Sequence, residues 1–323
     1  ADAIRQNLDY LTDVPIDYFL ILAGDQLYQM NYQKMMKVAL ETDADVVIAA
    51  LPVEESQVNR LGILKINSDA RITDFVEKPS DKKLVEKLKV SPSALEKFHL
   101  KSNKKSVYLG SMGIYLFKRK ALLKLLLTDM REDFGKHLIP TIIKNGKAVA
   151  HLHDGYWEDI GTIESYFHAN IALTKEKPDF NWYDEKQPLF TNSLHLPASK
   201  IYQTKIQNCI IGEGSLIDAK EITHSILGPR SKINKGTIIK NSYLLGNDYY
   251  HSPAQEGQPS KCYQIGENCR IERAIIDKQA IIGHNVELVN KNNLTEFNSD
   301  NLYIRDGIII VPRGACIPDG FSL

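Results

Sequence analysis

Two hydrophobic rhythms divide the chain. From residue 1 to about 176, short apolar runs alternate with amphipathic segments, as when strands and covering helices take turns. Tyr18 to Ala23 is a continuous apolar run closed by Gly24-Asp25, which reads as a buried strand ending in a turn. Asn31 to Glu41 has helical character, and Asp45 to Val53 is β-rich and stops at its proline. Gly62 to Ile66 and Ile72 to Val76 predict a hairpin around Asn67-Ser68-Asp69-Ala70. Val107 to Phe117 predicts a strand, and Lys118 to Leu127 and Ile163 to Leu173 predict helices. The expectation for this half is an α/β domain around a mostly parallel sheet.

Between Pro178 and Ser199 the periodicity lapses, and beyond it aliphatic-Gly pairs recur at Ile211-Gly212, Leu227-Gly228, Leu245-Gly246, Ile265-Gly266 and Ile282-Gly283. Their spacing averages close to eighteen residues. Inside it runs a beat of six: Leu227, Ile233, Ile239 and Leu245, then Ile276, Ile282 and Leu288. Six residues per side and three sides per coil is the pattern of a parallel β-helix with one inward aliphatic side chain per side. A two-residue sandwich period does not generate it. Asp248 to Ser260, polar and rich in Gly and Pro, interrupts the repeat and predicts a loop leaving one corner. The expected organisation is a domain over 1–176, a linker over 177–199 and the β-helix over 200–323.

The 323 residues carry 40 Lys+Arg against 40 Asp+Glu, so no whole-chain field collects nucleic acid or an anionic membrane, and neither is expected as a partner. With 43% hydrophobic residues, disorder is excluded as the main state. No run approaches the roughly 18 apolar residues of a membrane span. The start, Ala1-Asp2-Ala3-Ile4, has neither initiator Met nor signal pattern, and further chain is expected before it. Cys209, Cys262, Cys269 and Cys316 lack C-x-x-C spacing, so buried thiols are expected rather than zinc ligands, and nothing supports pairing Cys262 with Cys269.

Polar residues just after apolar runs are the first candidates for chemistry, because open α/β sheets bind ligands beyond strand ends. Asp25 follows the first strand, and Asp159 lies in Trp157-Glu158-Asp159-Ile160-Gly161-Thr162 before a turn glycine and a helix. Each alone reads equally as a cap or turn residue. Together, two carboxylates from separate strand ends can hold one Mg²⁺ and leave positions for phosphate oxygens. In Phe75-Val76-Glu77-Lys78-Pro79, Pro79 pushes Lys78 toward an extended conformation. The Lys78 ammonium suits a phosphate and Glu77 can accept from sugar hydroxyls, the alternative being a solvated Glu-Lys pair. Ser111, in an apolar strand, needs a partner or a ligand, and Asp133-Phe134-Gly135 reads as a turn or a site element. His224, His251 and His284 are the β-helix histidines that an acyltransferase of hexapeptide type would draw its base from, with surface positions as the plainer reading.

In order along the chain, Leu22 to Tyr28, Phe75 to Pro79, Ser111 to Tyr115, Asp133 to Gly135, Gly155 to Thr162, Ile276-Asp277-Lys278, Ile304 to Ile308 and Ile317 to Gly320 resemble the ADP-glucose pyrophosphorylase (glucose-1-phosphate adenylyltransferase) family. The resemblance covers essentially the whole chain. It implies a Rossmann-like nucleotidyltransferase domain followed by a left-handed parallel β-helix of hexapeptide repeats, and the joining of ATP to α-D-glucose 1-phosphate to give ADP-glucose and diphosphate for glycogen or starch. It implies Asp25 and Asp159 as catalytic Mg²⁺ ligands and Lys78 on the sugar phosphate. Glu77, Ser111 and the backbone at Gly62 would line the sugar pocket, with Asp133 and Trp157 behind them. It implies Lys278 and Arg313 as the contacts to phosphorylated metabolite effectors, a homo- or heterotetramer, and a place in the cytoplasm or the plastid stroma. The family's Gly-rich nucleotide loop precedes its Ala-Asp-Ala segment, so the residues in hand correspond to the part after it and are not expected to turn over alone. Departures are Gly110 for a common Ala, Leu61 for Phe, Ala23 for Ser, and Arg313 where Lys is frequent. Other readings are a mannose-1-phosphate guanylyltransferase or similar enzyme, a non-catalytic regulatory subunit, and the acyltransferase above.

Overall fold

A thirteen-residue strand, β6 (Ser106–Lys118), organises the first of two compact units, which comprises Ala1–Gly24 and Tyr28–Trp157. The computed structural model describes residues 1–13, 15–91, 95, 98, 106–186, 188–253 and 260–323. The other strands of the β6 sheet are β1 (Tyr18–Leu22), β3 (Val46–Glu54), β4 (Gly62–Ile66), β5 (Ile72–Glu77) and β7 (Ala148–Leu152); the short strands β2 (Gln26–Tyr28) and β8 (Trp157–Asp159) pair only with each other. Along one edge β6 pairs with β3, from Val46↔Phe117 to Glu54↔Ser106, and its other edge is shared by β1 and β4.

The sheet order is β5-β4-β6-β3-β7, with β1 beside β6. Only β3–β7 is a parallel pairing; β1–β6, β3–β6, β4–β6 and β4–β5 are antiparallel. The expected mostly parallel sheet is therefore corrected to a mixed one. Apolar runs locate strands but carry no direction, and β6 returns against both β1 and β3. The strand expected to stop at Pro52 also continues to Glu54. Pro52 is tolerated because β7 pairs β3 only as far as Ala50, leaving that edge without a ladder to break.

Alternation along β3 fills both faces of the sheet. Val46, Ile48 and Ala50 join Phe117, Leu122, Leu126, Ile139 and Ile142 in one core, and Val47, Ala49 and Val53 join Met35, Ala39 and Ile114 in the other. Helices Arg119–Thr128 and Ile139–Asn145 thus cover one face and Tyr32–Thr42 the other. Asn31 starts the latter by accepting from the Gln33 N–H at 2.9 Å.

The second unit comprises Asp25–Leu27 and Glu158–Leu323. Its strands are two to seven residues long and, apart from the antiparallel strands Glu296–Asn298 and Tyr303–Arg305, stack in parallel, Lys205 on Glu221, Glu221 on Ile238, and Arg270 on Glu287. Inside lie Leu227, Ile233, Ile239, Ile271, Ile276, Ile282 and Leu288, each at most 4% exposed. Leu245 departs from the beat of six: Leu244 takes the inward place, and Leu245 faces Phe167, Ile275 and Ile308 on the outside. That outer cluster is completed by helix Ile163–Ala172, which Thr162 caps by accepting from the Ser165 N–H at 3.1 Å. This helix lies in the second compact unit.

Two features explain the repeat. A Cβ on Gly228 would fall on the Leu245 carbonyl oxygen and one on Gly266 on that of Gly283, so the aliphatic-Gly pairs mark where neighbouring coils come closest. Buried hydroxyls then stitch coil to coil. Ser231 Oγ donates to Gly228 O at 2.7 Å while Ser215 Oγ accepts from the Ser231 N–H at 3.3 Å, and Ser225 and Ser242 repeat the arrangement. Ser252 and Lys261 close the base of the expected insertion, whose residues 254–259 lie outside the described ones. A second insertion, unmarked by the repeat spacing, carries the hairpin Glu296–Asn298/Tyr303–Arg305. Among the described residues no helix is long and apolar enough to cross a membrane, and all four cysteines are free.

Candidate active site

In the first unit Gly62, Lys78 and Asp133 gather around the Glu77 carboxylate, whereas Trp157 lies in the core on the other face of the sheet from Tyr115 and Phe134. Glu77 closes β5 opposite Gly62 in β4, and a Cβ on Gly62 would lie 2.7 Å from Glu77 Oε2. A Cβ on Gly135 would collide with the same oxygen and lie 2.7 Å from Glu77 Cδ. The carboxylate is thus seated between two glycines, either of which would displace it if it carried a side chain. Asp133 presents Gly135 by capping the short turn Phe134–Leu138, its Oδ1 accepting from the Lys136 N–H at 2.9 Å. Burial holds the Glu77 carboxyl above its ordinary range; Lys78 opposes that shift and Asp133 adds to it.

Lys78 is not extended. Its φ is +46°, and its N–H donates to Leu61 O at 3.0 Å. Proline excludes the right-handed helical region from the preceding residue, and here the left-handed region is taken in place of the expected extended one. Such a conformation is costly for a non-glycine residue, and strain of this kind gathers at functional sites.

Ser111 owes its position to an irregularity of β6. The β3–β6 register shifts between Ile48↔Tyr115 and Ala50↔Ser111, and Gly113 within the bulge has φ +66°. Across the other edge, β4 reaches Gly110 and the β1 pairing ends at Leu22↔Ile114, with the Ala23 N–H donating to Gly113 O at 3.3 Å, so Ser111 and Met112 lie between the two ladders. Ser111 is 6% exposed, accepts from the Gly113 N–H at 3.3 Å and bonds the Tyr115 hydroxyl. Burial pushes the Tyr115 phenol up to about 12, and the charges of Glu77 and Asp133 act in the same direction. Tyr115 stacks on Phe134 with ring centroids 6.0 Å apart. Trp157 is buried in the apolar cluster with Tyr28 and Met30. Tyr115 and Gly135 are not singled out by the sequence and yet pack around Ser111 and Glu77; the glycine of Asp133-Phe134-Gly135 and the Tyr four residues beyond Ser111 are the signals that point to them.

The second unit brings Asp25 and Asp159 together. The Ile160 N–H donates to Asp25 O at 3.0 Å and the Gly161 N–H to Asp159 Oδ1 at 3.0 Å. A Cβ on Gly161 would stand 3.0 Å from Asp159 Oδ1 and 3.1 Å from Asp25 Oδ2. Glycine therefore leaves open a small space flanked by oxygens of two carboxylates. Hard oxygen donors, few in number and with room for water, suit Mg²⁺.

Lys278 and Arg313 also meet in the second unit, on the carboxylate of Asp248. Lys278 Nζ lies 2.6 Å from Oδ1 and Arg313 Nη2 2.6 Å from Oδ2. His224 sits exposed at a coil corner with φ +47°, His284 Nδ1 accepts from the Glu267 N–H at 3.2 Å, and His251 bridges to Cys262 at the insertion's base.

Two family models match consecutive stretches: nucleotidyl transferase over residues 1–176 and the GLGC left-handed parallel beta-helix domain over residues 195–321. These define a nucleotidyltransferase followed by a left-handed β-helix, in agreement with the mixed sheet and the stacked coils. The glucose-1-phosphate adenylyltransferase small subunit, chloroplastic/amyloplastic, of Triticum aestivum is 40% identical over 333 aligned positions, spanning 99% of this chain and 69% of the wheat protein. The chain belongs to the glucose-1-phosphate adenylyltransferase family.

Proposed function

We propose that the protein transfers the adenylyl group of ATP to α-D-glucose 1-phosphate, giving ADP-glucose and diphosphate for starch or glycogen synthesis. A phosphate oxygen of the sugar phosphate attacks the α-phosphorus in line as diphosphate leaves. The work of the protein is positioning and charge neutralisation, with no covalent nucleophile. Lys78 carries the positive charge that meets the sugar phosphate. Glu77 accepts hydrogen bonds from sugar hydroxyls, and its half-buried seat strengthens them by excluding water. Ser111, with Tyr115 behind it, and the Gly62 backbone complete the polar lining, while Asp133 holds Gly135 against Glu77. Asp25 and Asp159 would hold Mg²⁺, which neutralises charge on the leaving diphosphate when bound.

The observation that carries this reading is the pair of carboxylates facing one glycine at Gly161. Such a pair supports a catalytic subunit over a non-catalytic one. We further read Lys278 and Arg313 as the contacts for a phosphorylated effector, the β-helix as the element of a homo- or heterotetramer, and the cytoplasm or plastid stroma as the compartment. The test is product formation by the protein as its gene encodes it, supplied with ATP or GTP and with glucose 1-phosphate or mannose 1-phosphate. ADP-glucose as the main product supports the reading; GDP-mannose, or no product, overturns it.

A further inference from the structure

Asp248 follows the last coil before the insertion, and its neighbour Asn247 fixes where it points. Asn247 Oδ1 accepts from the Gln279 N–H at 2.9 Å and its Nδ2 donates to Arg230 O at 3.0 Å. Two residues on, the Tyr250 hydroxyl donates to Gly214 O at 2.7 Å. The Asp248 carboxylate so held takes three donors: Lys278 Nζ on Oδ1 at 2.6 Å, and Arg313 Nη2 at 2.6 Å and Gln279 Nε2 at 2.9 Å on Oδ2. Gln279, at φ +58°, also accepts from Arg313 Nε at 2.7 Å and so turns the guanidinium toward the same point.

Two cations and an amide aimed at two oxygens form an anion cradle already filled by the chain itself. One carboxylate against two cations leaves the group with a net positive charge, which a phosphate dianion would balance more fully. The side chains of Lys278, Arg313 and Asp248 are 39%, 60% and 34% exposed, so water screens the pairs and each is individually weak. A tethered carboxylate acts as a competitor at an effective concentration of roughly millimolar order.

We propose that Asp248 is a built-in occupant of the Lys278–Gln279–Arg313 cradle, one that a phosphate monoester must displace, and that it thereby sets the threshold concentration for such ligands. This rests on the reading of Lys278 and Arg313 as the effector contacts.

The experiment titrates inorganic phosphate into the 323-residue chain by calorimetry at constant ionic strength. It compares the parent, Asp248→Asn, Asp248→Ser, Lys278→Ala/Arg313→Ala, and that pair combined with Asp248→Asn, with circular dichroism checking each fold. Asp248→Asn and Asp248→Ser are expected to bind phosphate about tenfold more tightly than the parent, the release of two weak ion pairs, and to lose the gain when Lys278 and Arg313 are removed. Affinity equal to or weaker than the parent's, with binding still dependent on Lys278 and Arg313, overturns the role of Asp248 and leaves the effector reading standing. Phosphate binding that ignores Lys278 and Arg313 in every background removes both.

Discussion

Replacing Gly135 by alanine puts a methyl group where the Glu77 carboxylate sits, in collision with Oε2 and 2.7 Å from Cδ. Gly135 does not need a positive φ, so alanine meets no backbone objection and even gains roughly 1 kcal/mol of helical preference. The obstructing atoms are the tip of a flexible, half-exposed side chain, so relief is cheap: overpacking of about 1–3 kcal/mol is an upper bound and is partly offset by that gain. Stability should change by no more than ~1–2 kcal/mol, a few degrees in Tm. Binding should suffer more. A displaced carboxylate forfeits a charged hydrogen bond to the sugar, worth about 1.5–3 kcal/mol, which is roughly a 10- to 150-fold rise in KM for glucose 1-phosphate at saturating ATP. Steady-state kinetics and melting curves for Gly135→Ala, Glu77→Ala and the double variant make the test. In the Glu77→Ala background the second substitution should add nothing to KM. Additive effects in the two variants, or an unchanged KM in Gly135→Ala, would refute the seating of Glu77 between the glycines as the reason for its role.

Asp25→Asn and Asp159→Asn should each lower kcat by several orders of magnitude at saturating Mg²⁺ with Tm unchanged; normal turnover in either removes that residue from the mechanism. Lys78→Ala and Lys78→Gly should both weaken glucose 1-phosphate, yet the glycine variant should melt higher than the alanine one by about 1 kcal/mol, because only glycine accepts φ +46° without strain; equal melting would deny the strain. Because burial raises the Glu77 pKa, the folded state is favoured while the carboxyl is protonated, and that contribution is lost as pH climbs from the ordinary glutamate value through the raised one. Glu77→Gln should accordingly flatten this fall in stability, read as Tm against pH, while impairing sugar binding. Ser231→Ala takes from the Gly228 carbonyl its shorter hydroxyl donor, leaving Ser215 Oγ at 3.4 Å, and should cost about 0.5–1.5 kcal/mol in chemical denaturation, whereas an unchanged midpoint would make the hydroxyl ladder incidental.

The β-helix was legible because its inward positions recur by a rule visible in one dimension, and Leu227, Ile233, Ile239, Ile276, Ile282 and Leu288 all point inward. Leu245 keeps the beat of six and yet faces outward, because Leu244, one residue early, takes the inward place and Leu245 packs with Phe167, a long-range contact that the repeat does not announce. Strands of the first unit were found by their apolar runs, but their directions depend on β6 returning between β1 and β3, a long-range fact without local signature. The pairing of Asp25 with Asp159 was inferred from strand ends. Its geometric basis, the missing Cβ of Gly161, shows only in three dimensions. Lys78 was misjudged in conformation because proline forbids one backbone region without choosing between the others. In sequence Asp248 is the first residue of a polar loop, and nothing in its neighbours announces that Lys278 and Arg313 close on it.

Adenylyl transfer to glucose 1-phosphate is the activity on which every residue role proposed for this protein depends. The measurement is radiolabelled ADP-glucose formed from ATP and glucose 1-phosphate by the protein as its gene encodes it, beside Asp159→Asn prepared identically. Label in ADP-glucose from the parent and essentially none from the variant is the predicted result. Equal label from both, or none from a parent that binds both substrates, would contradict it.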